Sequence, residues 1–376
     1  MKAMERLLSY RQKRFSELRK AKEEGRKIIG YTPGGYLPEE LVLAAGAIPL
    51  GLNRGGDHAP VELAGAYLCR WFDPFCRAQI GYAVSGTDPY YNILDLMVIP
   101  ITDNHVRGIS DNLGRNTDIK IFPFGVPHMK EKSCSDYYLH GITRLKAKLE
   151  EVTGVNITES KLREAITLCN RERELLKQIS LMRKSEPIPI SSKDFVALNH
   201  SSALLDKEVM VEILESLYNE LKEQTAPPLE GPRVVLTGST LAQGDQILDI
   251  IEKAGAVVVV EEFGEGLKPY WENVSLNGDL MEALADCYFM RRVSPAWFRP
   301  GTERLDFVIK LAKDFNVAGV IWYQLLYRES YKTESYYFPN RLKEETGLSM
   351  MVVESEYDES EAVTQRTRLE TFAGII

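Results

Sequence analysis

The chain has 376 residues, and its 46 Lys and Arg against 54 Asp and Glu give a formal charge of −8 with histidine neutral. That balance leaves no basic surplus to neutralise a phosphate backbone and argues against a nucleic-acid partner. Apolar residues make up 44% and charged residues 27%, the composition of a cored globular chain rather than a disordered one.

At roughly 100–200 residues per domain, two or three units are expected. The longest uncharged run, residues 41–53, is broken by Gly46, Pro49 and Gly51 and falls short of the roughly 18 apolar residues of a membrane span. The opening MKAMERLLSYRQKRFSELRK lacks the apolar stretch and cleavage site of a secretory signal, which predicts a cytoplasmic protein that spans no membrane.

Along the chain, short β-branched runs alternate with helical stripes. Residues 27–32, 48–52, 94–100 and 119–124 read as strands, and a second set follows at 233–239, 256–262, 317–324 and 349–355. Their unbroken apolar character, as in VVLTG, VVVV and GVIWY, fits strands covered on both faces of a parallel sheet. Between 135 and 224 helices dominate, one of them carrying Leu162, Ala165, Ile166, Cys169 and Ile179 behind a Thr158 cap. Residues 225–232 (TAPPLEGP) read as a linker. The expected fold class is α/β: two doubly wound, mostly parallel-sheet units of Rossmann or flavodoxin type with a helical segment between them. The expected boundaries are 1–134, 135–228 and 229–376.

In such sheets ligands collect beyond the carboxyl ends of the strands. Three strand-end loops stand out: Ile101-Thr102-Asp103-Asn104-His105, Phe263-Gly264-Glu265-Gly266 and Leu325-Leu326-Tyr327-Arg328-Glu329. Each reads either as an ordinary surface connection or as part of a site. Of the five cysteines, Cys76 follows Asp73 and Pro74, an N-cap and a first helical residue, so it falls in a helix's first turn. There the helix dipole and Arg77 favour a thiolate able to ligate metal, against the plainer reading of a small buried hydrophobe. Cys169 and Cys287 sit on apolar stripes and read as core, and Cys69 and Cys134 remain open. No C-x-x-C pair, Walker lysine, histidine metal spacing or complete dinucleotide fingerprint is present. Glu39 and Glu40 open a helix after Pro38, where the dipole accounts for both carboxylates and a general acid or base role for either is the alternative.

Taken in order, GYTPGGYLPEELVLAAGAIPLGL at 30–52, CRAQIGYAVSG at 76–86, LDLMVIPITDNHVRGISDNL at 94–113 and QRTRLETF at 365–372 resemble the 2-hydroxyacyl-CoA dehydratase and benzoyl-CoA reductase family, in particular a D-component-like subunit. The resemblance covers nearly the whole chain. It implies an oxygen-sensitive, heteromeric enzyme with a homologous cluster-bearing partner subunit and an acyl-CoA substrate. It also implies an ATP-dependent activator protein that feeds single electrons to a 4Fe-4S cluster held by three cysteines.

The family's first ligand corresponds to Cys76. Its second, normally in a Cys-Asp pair, corresponds to Thr102-Asp103, and its third to the Leu326-Tyr327-Arg328 segment, so two of three thiolates are replaced. Three readings follow. The chain is a 2-hydroxyacyl-CoA dehydratase subunit whose partner holds the cluster, a benzoyl-CoA reductase-type subunit, or a cluster-free relative that binds acyl-CoA or stabilises a partner. In each, Thr102, Asp103, Tyr327, Gly264 and Gly266 are expected around a substrate cavity beside Cys76, the thiol, hydroxyl and phenol converging on one hollow between two sheets.

Overall fold

The computed structural model describes residues 1–32, 34–223 and 230–376. Eight strands form two four-stranded sheets. The first contains β1 (Ile28–Tyr31), β2 (Ile48–Gly51), β3 (Leu96–Ile101) and β4 (Ile121–Gly125) in the order β2-β1-β3-β4. The second contains β5 (Arg233–Gly238), β6 (Val257–Glu262), β7 (Gly319–Leu325) and β8 (Ser349–Ser355) in the order β6-β5-β7-β8. All pairings are parallel, as the continuous apolar runs predict, and β5, β6 and β7 are buried over nearly their whole length. The two-unit α/β expectation is met.

Every expected strand is found, with three of them starting two residues late. β3 begins at Leu96 because Leu94 closes the short 3-10 turn Pro89–Ile93, and the Asp95 carboxylate accepts the Ile28 N–H at 2.9 Å in place of a ladder partner. β4 and β7 begin at Ile121 and Gly319. The linker expected at 225–232 lies mostly outside the described residues. Before it come four helices, Lys132–Thr153, Glu159–Met182, Ser192–Ser202 and Lys207–Glu223, and the Thr158 hydroxyl caps the second by accepting from Lys161 N.

One buried cluster runs from Met97, Ile99 and Ile109 of the first unit through Phe75 and Cys76 to Leu236, Leu241 and Tyr323 of the second. Local parallel bridges at Arg54–Gln243 and Met129–Arg299 tie the halves again. In each sheet the order reverses direction at one place, between β1 and β3 and between β5 and β7. A ligand crevice belongs at such a switch point, and here the two crevices open onto one another.

Candidate functional site

Four strand ends build the crevice. Thr32 follows β1, Thr102 follows β3, Ser239 and Thr240 follow β5, and Arg328 lies just beyond β7. All of them line one cavity together with Cys76. Two helices start at its floor. Asp73 caps Pro74–Ser85 by accepting from Cys76 N at 2.9 Å. Asp103 caps Asn104–Asn116 by accepting from His105 N and Val106 N at 2.7 and 3.0 Å. A short side chain that accepts two backbone N–H groups at a helix start is what a loop leaving a strand needs to turn into a helix.

Across from both carboxylates stands Arg328. Its guanidinium donates to Asp103 Oδ2 at 3.1 Å, lies 3.5 Å from Asp73 Oδ2, and sits 5.3 Å from the centre of the Trp297 ring. Burial works against this cation, but Asp103 and Asp73 outweigh burial and raise its pKa. In return Arg328 and two backbone N–H groups hold the buried Asp103 below the usual carboxylate range. The Thr102 hydroxyl donates to Asp103 at 3.2 Å.

The thiol of Cys76 behaves otherwise than its position in the first helical turn predicts. It is 1% exposed, and burial first, then the negative charge of Asp73 and Asp103, push its pKa well up, against a smaller opposing pull from Arg328. Burial, reinforced by the carboxylates that cap the two helices, keeps the thiol protonated at neutral pH.

On the opposite wall, the loop after β6 places Gly264 and Glu265 against the cavity. Asn199 holds this loop by donating to the Glu265 and Gly266 carbonyls, both at 2.8 Å. Glu265 has no ion-pair partner among the described residues and accepts one long bond, from Leu241 N at 3.4 Å. Burial raises its pKa to about 7. Nearby Lys268 pairs with Glu262 at 3.0 Å, and burial lowers its pKa.

Beyond Gly34, Gly264 and Glu265, which it shares with the crevice, lies a second chamber lined also by Glu39, Glu172, Arg173 and Arg292. Glu39 faces it, bonded to the Tyr31 hydroxyl at 2.6 Å and to Lys207 at 2.9 Å. Lys207 also pairs with Glu172 at 2.8 Å. Glu40 is fully buried and accepts from Arg173 at 2.6 Å and from the Tyr288 hydroxyl at 2.8 Å.

The structure therefore brings Cys76, Thr102 and Gly264 to one cavity, with Asp103 just behind it. It does not bring Tyr327. That residue takes a left-handed backbone conformation (φ 68°), which turns its ring outward against Trp71 and its hydroxyl to Glu356 Oε1 at 3.1 Å. The next residue, Arg328, occupies the inward place instead. Gly266 is not at the cavity either: a Cβ there would lie 2.8 Å from the Glu261 carbonyl, so close packing on its own strand accounts for the glycine. Glu40 lines neither cavity and is held by Arg173 and Tyr288, which line the second chamber. Of the charged residues here, the sequence points to Arg328 and Glu265 through their strand-end loops and to Asp73 as the cap before Cys76, whereas nothing in it marks Lys207 or Arg292.

The donor set does not fit a 4Fe-4S cluster. Cys76 is the one cysteine at the crevice, whereas Cys69 is exposed, Cys134 lies on another helix, Cys169 lines the second chamber and Cys287 is buried in a π-helical turn. Among the described residues no group of three His, Cys, Asp or Glu side chains is arranged to hold a metal ion. Asp73 and Asp103 already have a cation in Arg328, and a threonine hydroxyl is a poor substitute for thiolate at iron. No helix of the described residues is long and apolar enough to cross a membrane.

The family model for the 2-hydroxyglutaryl-CoA dehydratase D-component matches residues 35–376. The chain is 24% identical over 355 residues to the (R)-phenyllactyl-CoA dehydratase beta subunit of Clostridium sporogenes, covering 93% of this chain and 92% of that one. It is 26% identical over 292 residues to a benzoyl-CoA reductase subunit of Thauera aromatica, covering 75% and 73%. To the lactoyl-CoA dehydratase beta subunit of Anaerotignum propionicum it is 22% identical over 372 residues, covering 94% and 93%. This chain belongs to the 2-hydroxyglutaryl-CoA dehydratase D-component family.

Proposed function

We propose that this chain is the cluster-free half of a cytoplasmic, heteromeric 2-hydroxyacyl-CoA dehydratase, in which a homologous partner holds the 4Fe-4S cluster and an ATP-dependent activator protein supplies its electrons. The observation that carries this reading is the Arg328 guanidinium, held by Asp103 and Asp73 beside the lone thiol of Cys76. A fixed organic cation stands where a cluster would require further thiolates. The work left to this chain is to hold and shield an acyl thioester. Cys76 and Ser239 present a thiol and a hydroxyl to the crevice, and Glu265 adds a carboxyl that is protonated up to about pH 7. Such neutral donors suit a thioester carbonyl, whose charge grows on reduction and which needs water kept away.

The relatives are named for phenyllactyl, lactoyl and benzoyl groups and so single out no one acyl group. Dehydration is preferred over ring reduction because two of these three are dehydratases spanning nearly the whole chain.

Iron and acid-labile sulfide measured after anaerobic purification test the proposal. The chain alone should contain neither, with Cys76→Ala unchanged, and the complex with a cysteine-complete partner should contain one cluster per pair. A full cluster in the isolated chain, lost in Cys76→Ala, would refute it. With partner and activator present, turnover of benzoyl-CoA but of no 2-hydroxyacyl-CoA would assign the complex to ring reduction instead.

A further inference from the structure

Two lysines are buried among the described residues, and they are held differently. Lys207 has carboxylates at 2.9 and 2.8 Å and the Ser202 carbonyl at 2.8 Å, an acceptor for each of its three protons. Burial opposes its charge, but Glu172 and Glu39 outweigh burial and raise its pKa. Lys268 lines the crevice together with Cys76 and Glu265. Its ammonium has Glu262 Oε1 at 3.0 Å and the Ser294 carbonyl at 3.4 Å. The first contact is close but poorly directed, since Oε1 makes no hydrogen bond, and the second is long.

Glu262 is also a divided partner. Its other oxygen accepts from Thr237 at 2.6 Å and lies 3.1 Å from Arg304, which pairs with Glu334 as well. Burial lowers the Lys268 pKa, Glu262 opposes this only in part, and the Arg304 cation adds to the lowering. A desolvated lysine beside a second cation keeps a larger share of free amine than a lysine in water does, and a free amine is a nucleophile. Lys268 takes no part in holding the thioester as described above, so this nucleophile stands unused in the crevice.

We infer, resting on the acyl-thioester reading above, that Lys268 is a covalent acceptor site whose amine attacks the carbonyl of a thioester bound in the crevice. Nζ forms a bond to the carbonyl carbon and the carbon–sulfur bond breaks. The coenzyme leaves as a thiolate, which takes up the proton that Nζ loses. The products are an amide on Lys268 and free coenzyme A. The amide carries no charge, withdraws the cation from Glu262 and leaves the acyl chain in the crevice, so a modified chain is closed to further thioester. Cys76 offers a thiol to the same carbonyl, but burial keeps that thiol protonated, and transfer to it gives another thioester that coenzyme A reverses. The amide at Lys268 is the lasting product.

Incubation of the full chain with butyryl-CoA at mildly alkaline pH, followed over time by peptide mass spectrometry, tests this, and calorimetric titration with the same thioester reports binding separately. Lys268 should gain a hydroxylamine-resistant butyryl group at least about ten-fold faster than the exposed Lys20 and Lys132, because a bound thioester is a positioned reactant. That advantage should vanish in urea. Treated wild type should lose butyryl-CoA binding in proportion to its modification, whereas Lys268→Arg should keep binding after the same treatment. Should Lys268→Arg fail to fold, the comparison of rates within wild type still decides. Binding of butyryl-CoA with Lys268 modified no faster than the exposed lysines, an advantage that persists in urea, or modification confined to Cys76 would overturn the inference and leave the thioester reading standing. Neither binding nor modification at Lys268 would overturn both.

Discussion

Replacing Glu265 by glutamine should remove a defined part of the protein's pH-dependent stability. In the fold, burial lifts the Glu265 pKa from its ordinary 4.5 to about 7. The folded state therefore holds this proton more tightly than the unfolded chain. The resulting stabilisation is complete below about pH 4.5 and is lost as pH rises through about 7. A shift of about 2.5 units corresponds to about 3 kcal/mol in full, of which about 2.5 kcal/mol disappears between pH 5 and 8.

Asp245 adds a loss in the same direction, because burial raises its pKa from 3.8 to about 6. That contribution is common to wild type and variant, and their difference isolates Glu265. Urea unfolding of both proteins at half-unit steps from pH 5 to 8 measures it. Whatever constant offset the substitution brings, Glu265→Gln should gain on wild type by about 2.5 kcal/mol across that window. Parallel profiles would show that the carboxyl ionises as it would in water and would refute its placement in a dry cavity.

Further expectations concern the charge networks. Arg328→Met strands Asp73 and Asp103 without their cation, and a loss on the order of 3–5 kcal/mol in denaturant unfolding is expected, with the Asp103 pKa rising by NMR titration. Lys207→Met leaves Glu39 and Glu172 facing each other at a similar cost of about 3–5 kcal/mol, and adding Glu172→Gln should recover part of it; no recovery would mean that the lysine acts through packing alone. Thr158→Ala removes a cap far from the crevice, so it should cost about 1 kcal/mol and leave acyl-CoA binding unchanged in the same titrations.

The strands are legible in the sequence because each carries its own signal, a run of β-branched residues too short for a helix and too apolar for a surface, as in VVLTG at β5. The crevice is legible for a related reason, since a parallel sheet places its strand-end loops together whatever their composition. Side-chain direction is not. At Tyr327 one left-handed residue sends the phenol outward and presents Arg328 in its place, and nothing in Leu-Tyr-Arg marks that reversal. For Cys76 the helix start is plain from Asp73 and Pro74, but the thiol's ionisation depends on Asp103 and on burial by distant segments. The ion pairs are hidden because their members are far apart in the chain: Arg328 and Asp103 are separated by 225 positions and Glu40 and Arg173 by 133.

Arg328 is contributed by the segment after β7, whereas Asp73 and Asp103 belong to the segments around β3. One guanidinium thus acts as a clasp across the seam as well as the charge of the pocket. Whatever draws it toward a bound molecule must slacken its grip on the facing carboxylates, so occupancy of the pocket and cohesion of the two sheet layers become a single mechanical quantity.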